Sequence, residues 1–184
     1  TYSCWYKRAL LSYSIGNVFE QKQNGQNYQV AFFRDDDKFE FHGYTSSGGN
    51  QYTNRFVTTQ KFRDISSWYH IIIAVDTTQA TASNRVKIYV NGSQVTDFDT
   101  ADYPSQNFDT FINTTQQLRL GNGQAGSQAF DGYMSEIWHY DGRQLEPTHF
   151  GYTESQSGIW RPKKIENPYS CLLYTSPSPR DAES

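Results

Sequence analysis

Carboxylates, imidazoles and exposed aromatic rings are the side chains here that could do chemistry, and their spacing decides which kind. Asp35-Asp36-Asp37 falls between two β-patterned stretches, where a hairpin tip is expected. Adjacent carboxylates repel unless water or a cation separates them, and Ca²⁺ accepts such oxygens. Asp35 and Asp37, together with Asp76 at the end of an apolar run, are therefore the metal candidates, and calcium is the one cofactor raised. The EF-hand spacing is absent, and Asp also caps turns by hydrogen bonding alone, so solvated turn residues are the competing reading. Glu40 and Glu136 stand singly, the pattern of solvated side chains or loop ties rather than of a paired acid and nucleophile. His42, His70, His139 and His149 lack metal-ligand spacing; His70, beside an apolar run, reads as a structural hydrogen-bonder. No serine sits in a nucleophile elbow. Gly121-Asn-Gly123-Gln-Ala-Gly126 matches G-x-G-x-x-G but runs on into another strand pattern, so it reads as a glycine-rich turn without a phosphate-binding helix. No catalytic residue is expected, and the chain does not read as an enzyme. Sugar C–H faces stack on exposed rings, and Tyr44, Tyr52, Trp138 and Tyr140 lie at strand ends or on outward parities. These four are the ligand-contact candidates, although most aromatics in so aromatic a chain must pack.

The elements that would position these groups are short strands separated by Gly, Asn, Asp and Ser clusters. Strands are expected at Tyr2 to Arg8, Tyr28 to Phe33, Lys38 to Tyr44, Arg55 to Thr59, Tyr69 to Asp76, Arg85 to Val90, Leu118 to Gly121 and Phe130 to Tyr140. Period two sets Tyr28, Val30 and Phe32 on one face, and Lys38, Glu40 and His42 opposite Phe39 and Phe41. The run Ile71 to Val75 predicts a central strand covered on both sides. Asn91-Gly92 between Val90 and Ser93 predicts a type I′ hairpin. Helix is confined to turns opened by Asp64 and at Glu146 to His149, and Thr96 to Thr115 reads as a long polar loop. The fold class expected is all-β, a two-sheet antiparallel sandwich or jelly roll.

Composition narrows the partners. Sixteen basic against nineteen acidic side chains give −3, which removes the electrostatic case for nucleic acid. A mean hydropathy of −0.78 would suit disorder, but 16% aromatics with 19% charge point to a folded chain. No apolar run approaches the roughly 18 residues of a membrane span, so membrane insertion is not expected. The chain opens as if inside a strand, which suggests a truncated N-terminus without a signal peptide. Cys4 and Cys171 carry no spacing pattern. The segment from Cys171 onward breaks the preceding pattern. Its Leu172-Leu-Tyr-Thr-Ser-Pro-Ser-Pro-Arg-Asp181 resembles translated sequencing-adapter read-through, the alternative being a natural Pro/Ser linker. One domain over residues 1–168 with a disordered, non-native tail at 169–184 is expected.

Tyr2-Ser-Cys-Trp-Tyr-Lys7, Trp68-Tyr-His-Ile-Ile-Ile-Ala-Val-Asp76, Arg85-Val-Lys-Ile-Tyr-Val-Asn-Gly-Ser-Gln-Val95 and Phe130-Asp-Gly-Tyr-Met-Ser-Glu-Ile-Trp138 occur in this order. Together they resemble a laminin-G-like domain of the concanavalin A-like lectin/glucanase superfamily. Thr77-Thr-Gln-Ala-Thr81 is similar to copies in tail and virion proteins of marine viruses. The resemblance implies a jelly roll used for binding glycans or proteins, sometimes with calcium at the sheet rim. The superfamily's hydrolases carry Glu-x-Asp-x-Glu on one strand, and that spacing is absent here. The expectation is a non-catalytic carbohydrate-binding or adhesion domain of a phage tail or virion protein, located in the virion or outside the cell. Its partner would be a glycan or cell-surface polysaccharide, within a larger multimeric assembly. A structural spacer without a ligand is the alternative, and a fragment of a polysaccharide-degrading enzyme ranks below it.

Overall fold

The computed structural model describes residues 1–12, 15–24, 27–49, 51–123 and 128–165. Thirteen strands follow in chain order among them: β1 (Tyr2–Arg8), β2 (Gly16–Asn24), β3 (Asn27–Phe33), β4 (Lys38–Thr45), β5 (Gln51–Lys61), β6 (Tyr69–Val75), β7 (Val86–Val90), β8 (Ser93–Gln94), β9 (Phe98–Asp102), β10 (Leu118–Leu120), β11 (Gly132–His139), β12 (Gly151–Thr153) and β13 (Trp160–Pro162). They form a five-stranded sheet, β11-β1-β6-β7-β8, a six-stranded sheet, β10-β2-β3-β4-β5-β9, and the separate hairpin β12-β13. Every pairing between these strands is antiparallel. The two large sheets make an all-β sandwich of the expected kind.

Alternation explains the layers. Phe33, Phe39, Phe41 and Phe56 from the six-stranded sheet meet Tyr6, Ile71, Ile73 and Ile88 from the five-stranded sheet in one core. The continuous run in β6 serves both of its faces: Ile71 and Ile73 enter that core, while Ile72 and Ala74 join Tyr89, Leu145 and Phe150 in a smaller cluster outside. That outer cluster is capped by the segment around the 3₁₀ turn Pro147–His149, where a turn was expected. Asn91 (φ 48°) and Gly92 (φ 81°) both take positive φ, as the type I′ turn between β7 and β8 requires.

Three stretches differ from the sequence expectation. β2 was not anticipated, because its polar wording hides the alternation. Phe19 reaches the core, while the Gln21 amide donates to the Thr114 and Gln116 carbonyls. β9 lies inside the expected long loop, fastened by pairing to β5 and by Phe98 packing on Phe56 at 5.7 Å. Asp64 opens no helix: its carboxylate takes the Ser66 amide and the Ser66 and Ser67 hydroxyls, which folds a tight turn. Cys4 is buried in the core, whereas Cys171, the boundary at 168 and the tail 169–184 lie outside the described residues. The glycine-rich turn is described only as far as Gly123.

Candidate functional site

The outer face of the six-stranded sheet carries the densest polar chemistry described. With Phe39 and Phe41 inward, Glu40, His42 and Tyr44 of β4 point outward. Register aligns them with Phe32, Val30 and Tyr28 of β3 on one side, and with Val57, Arg55 and Tyr52 of β5 on the other. A groove of about 520 Å³ opens over Tyr28, Phe32, Glu40, His42, Tyr52 and Arg55, bordered also by Ile15, Arg34 and Asp35, while Tyr44 stands beside it, outside the lining.

Glu40 is the electrostatic centre of this groove. Its residue is 1% exposed, so it is not the solvated carboxylate expected of a lone strand Glu. Arg55 donates from Nε to Oε1 at 2.8 Å and from Nη2 to Oε2 at 3.3 Å. Arg34 Nη1 donates to Oε2, and His42 Nδ1 lies 2.9 Å from Oε1. Burial alone would raise the carboxyl's pKa; His42, Arg55 and Arg34 outweigh burial and hold it down to about 2. A glycosidase proton donor needs the opposite shift, so Glu40 is poorly placed for that work.

Aromatic rings surround this network. Tyr28 and Tyr44 stack at 5.3 Å, and Tyr52 stands nearly perpendicular to Tyr44 at 5.9 Å and to His42 at 5.0 Å. The Arg55 guanidinium lies 4.6 Å from the Tyr52 ring centre. Tyr52 is 46% exposed and presents the most open ring at the groove.

The structure divides the four aromatic candidates. Tyr44 and Tyr52 share this face, joined by Tyr28, which sequence reasoning placed on the same parity as Val30 and Phe32 but did not single out. Trp138 in β11 of the other sheet and Tyr140 just past its end are half-buried against the outer cluster, with Tyr140 packed edge-on to Phe150 at 5.8 Å. Arg34 and Arg55 were also missed: Arg34 reaches Glu40 from the β3–β4 turn, and cross-strand register brings Arg55 beside His42.

The three carboxylates considered for calcium are not brought together. Asp37 is 1% exposed and paired with Arg8 at 3.1 Å and Arg63 at 3.0 Å, and it accepts the Ser12 amide at 2.7 Å. Burial would raise its pKa, but these partners outweigh burial and lower it. Asp76 accepts from the Thr78 hydroxyl and amide and from the Gln79 amide, a turn cap. Asp35 is exposed at the groove's edge. Among the described residues, no group of three or more His, Cys, Asp or Glu side chains converges as a metal site.

His70 is the structural hydrogen-bonder expected. Trp160 Nε1 donates to its Nδ1 at 2.9 Å, which leaves the proton on Nε2, 2.8 Å from Ser3 Oγ.

A sandwich of this order, with a polar and aromatic outer sheet face, defines a lectin-like jelly roll. Residues 1–149 match the Laminin_G_3 family, described as the concanavalin A-like lectin/glucanases superfamily, and the chain belongs to it. Among solved structures, it is similar to domain 4 of AbnA, a GH43 extracellular arabinanase from Geobacillus stearothermophilus, in complex with arabinotriose. The identity is 20% and the TM-score 0.51, covering 74% of this chain and 57% of that one. A second is the CBM40 of Ruminococcus gnavus IT-sialidase bound to α2,3-sialyllactose, at 13% identity and TM-score 0.48, covering 74% and 71% of the two chains. Comparison with curated proteins finds no match.

Proposed function

We propose that this domain binds carbohydrate without cleaving it, in the groove on the outer face of the six-stranded sheet. One observation carries the reading: open tyrosine rings flank a buried, ion-paired Glu40–His42–Arg55 network, pairing a stacking surface for sugar C–H faces with polar groups fixed in place. Ionised and enclosed by its donors, Glu40 offers no catalytic proton. Arabinotriose, bound to a domain of the same fold, is a fitting first probe.

A groove this open gives weak single-site binding, and repetition in a multimer makes such sites useful. Display on a phage tail or virion, outside the cell, suits that requirement and accords with the wording of Thr77 to Thr81.

Immobilised neutral and acidic oligosaccharides test the reading. Tyr28→Ala and Tyr44→Ala are expected to lose retention while keeping the thermal midpoint within a few degrees, and Trp138→Ala to keep retention. Retention by both tyrosine variants with loss in the Trp138 variant would move the site to the other sheet.

A further inference from the structure

His42 is held in a state that no described residue completes. Glu40, held ionised, can only accept, so the His42 Nδ1 facing it at 2.9 Å carries a proton, and a ring with that single proton presents Nε2 as a bare acceptor. That Nε2 is buried and has no hydrogen-bond partner among the described residues. The side chain is 8% exposed. Asn17, Gln29 and Asn54 also hold an unpartnered buried atom, but among the described residues only His42 of these four lines the groove. A dry acceptor costs free energy that a donor from outside would recover. Three rings pack on the imidazole, Phe32 at 5.7 Å, Tyr28 at 5.8 Å and Tyr52 at 5.0 Å, and Tyr52, half-exposed, is the most open of them.

The charges around the groove select the donor. Arg34 and Arg55 balance Asp35 and Glu40, and both guanidinium groups are already engaged by Glu40. An anionic sugar would find no free cation there, and its carboxylate would meet the Nε2 lone pair. An uncharged sugar offers hydroxyl donors without that repulsion.

We propose that His42 Nε2 is the specificity-determining atom of the groove, accepting a hydrogen bond from a hydroxyl of an uncharged glycan once the Tyr52 ring turns aside. This rests on the carbohydrate-binding reading above.

The experiment uses the intact protein with arabinotriose, cellotriose, laminaritriose and α2,3-sialyllactose. Imidazole ¹⁵N spectra should show His42 protonated at Nδ1 and bare at Nε2, with the Nε2 signal moving when a neutral trisaccharide is added. Monodeoxyfluoro analogues of the binding sugar, which cannot donate at the replaced position, should include one weakened about tenfold. That difference should vanish in His42→Phe. His42→Gln, which keeps an acceptor, should retain part of it and guards against a folding defect in His42→Phe. Neutral-sugar binding in which no analogue's loss depends on His42, a proton found on Nε2 with or without one on Nδ1, or binding of the sialylated sugar alone each overturns the assignment while leaving carbohydrate binding intact. Failure of all four sugars to bind at millimolar concentration overturns both.

Discussion

Glu40, itself almost closed to water, stays ionised because Arg34, His42 and Arg55 converge on its two oxygens. Linkage gives this a pH signature. A carboxyl held at about 2 in the fold against 4.5 unfolded contributes stability that is complete above pH 4.5 and lost as pH falls towards 2. Asp37, also lowered, acts with the same sign. Urea midpoints along an acid series should therefore fall through that window, and Glu40→Gln should flatten the fall. The same variant should cost about 1–3 kcal/mol at neutral pH, because its arginines and His42 lose a charged acceptor. An acid limb unchanged in the variant would mean that Glu40 does not carry the effect. None of this was legible at Glu40 alone. A single strand carboxylate usually faces solvent, and the exception here depends on Arg34 and Arg55 arriving from the β3–β4 turn and from β5.

At the scale of elements, the Trp160 side chain ties the hairpin β12-β13 to the sandwich. Trp160 stacks beside His70 with ring centres 6.1 Å apart and donates to its Nδ1. Gly92 and Gly151 make room for the indole: a Cβ at either would come within 2.5 or 2.4 Å of its ring. Asn91-Gly92 thus does two jobs, making the hairpin turn that sequence predicts and providing a seat that it does not reveal. Burial lowers the His70 pKa from 6.5 to about 4, so the neutral ring is the folded form. Protonating Nδ1 would set two donors against each other. Stability is present above pH 6.5 and lost as pH falls from 6.5 to 4, by about 3 kcal/mol at most. Denaturation midpoints from neutral pH to pH 4 check this; midpoints level across that range contradict it. The loss lies at higher pH than that of Glu40, so the two can be separated on one titration.

For the whole molecule, two of the three calcium candidates, Asp37 and Asp76, are satisfied within the chain, and Asp35 stands exposed apart from them. Asp37 joins β1 to the β3–β4 turn through Arg8, and Asp76 closes the turn after β6. The thermal midpoint should therefore be the same in calcium and in chelator, as calorimetry would show, and a rise of several degrees with calcium would reveal a site elsewhere.

Sequence by itself determined the sandwich, the two-faced β6, the type I′ hairpin and the outward parity of Glu40, His42 and Tyr44. These follow from period-two alternation and turn chemistry, which are local. It could not separate Tyr44 and Tyr52 from Trp138 and Tyr140, since parity tells which way a ring points and not which sheet it joins. Only the tertiary structure decided that, along with β2, β9 and the Glu40 network, because cross-strand register brings together residues that neighbouring sequence does not relate.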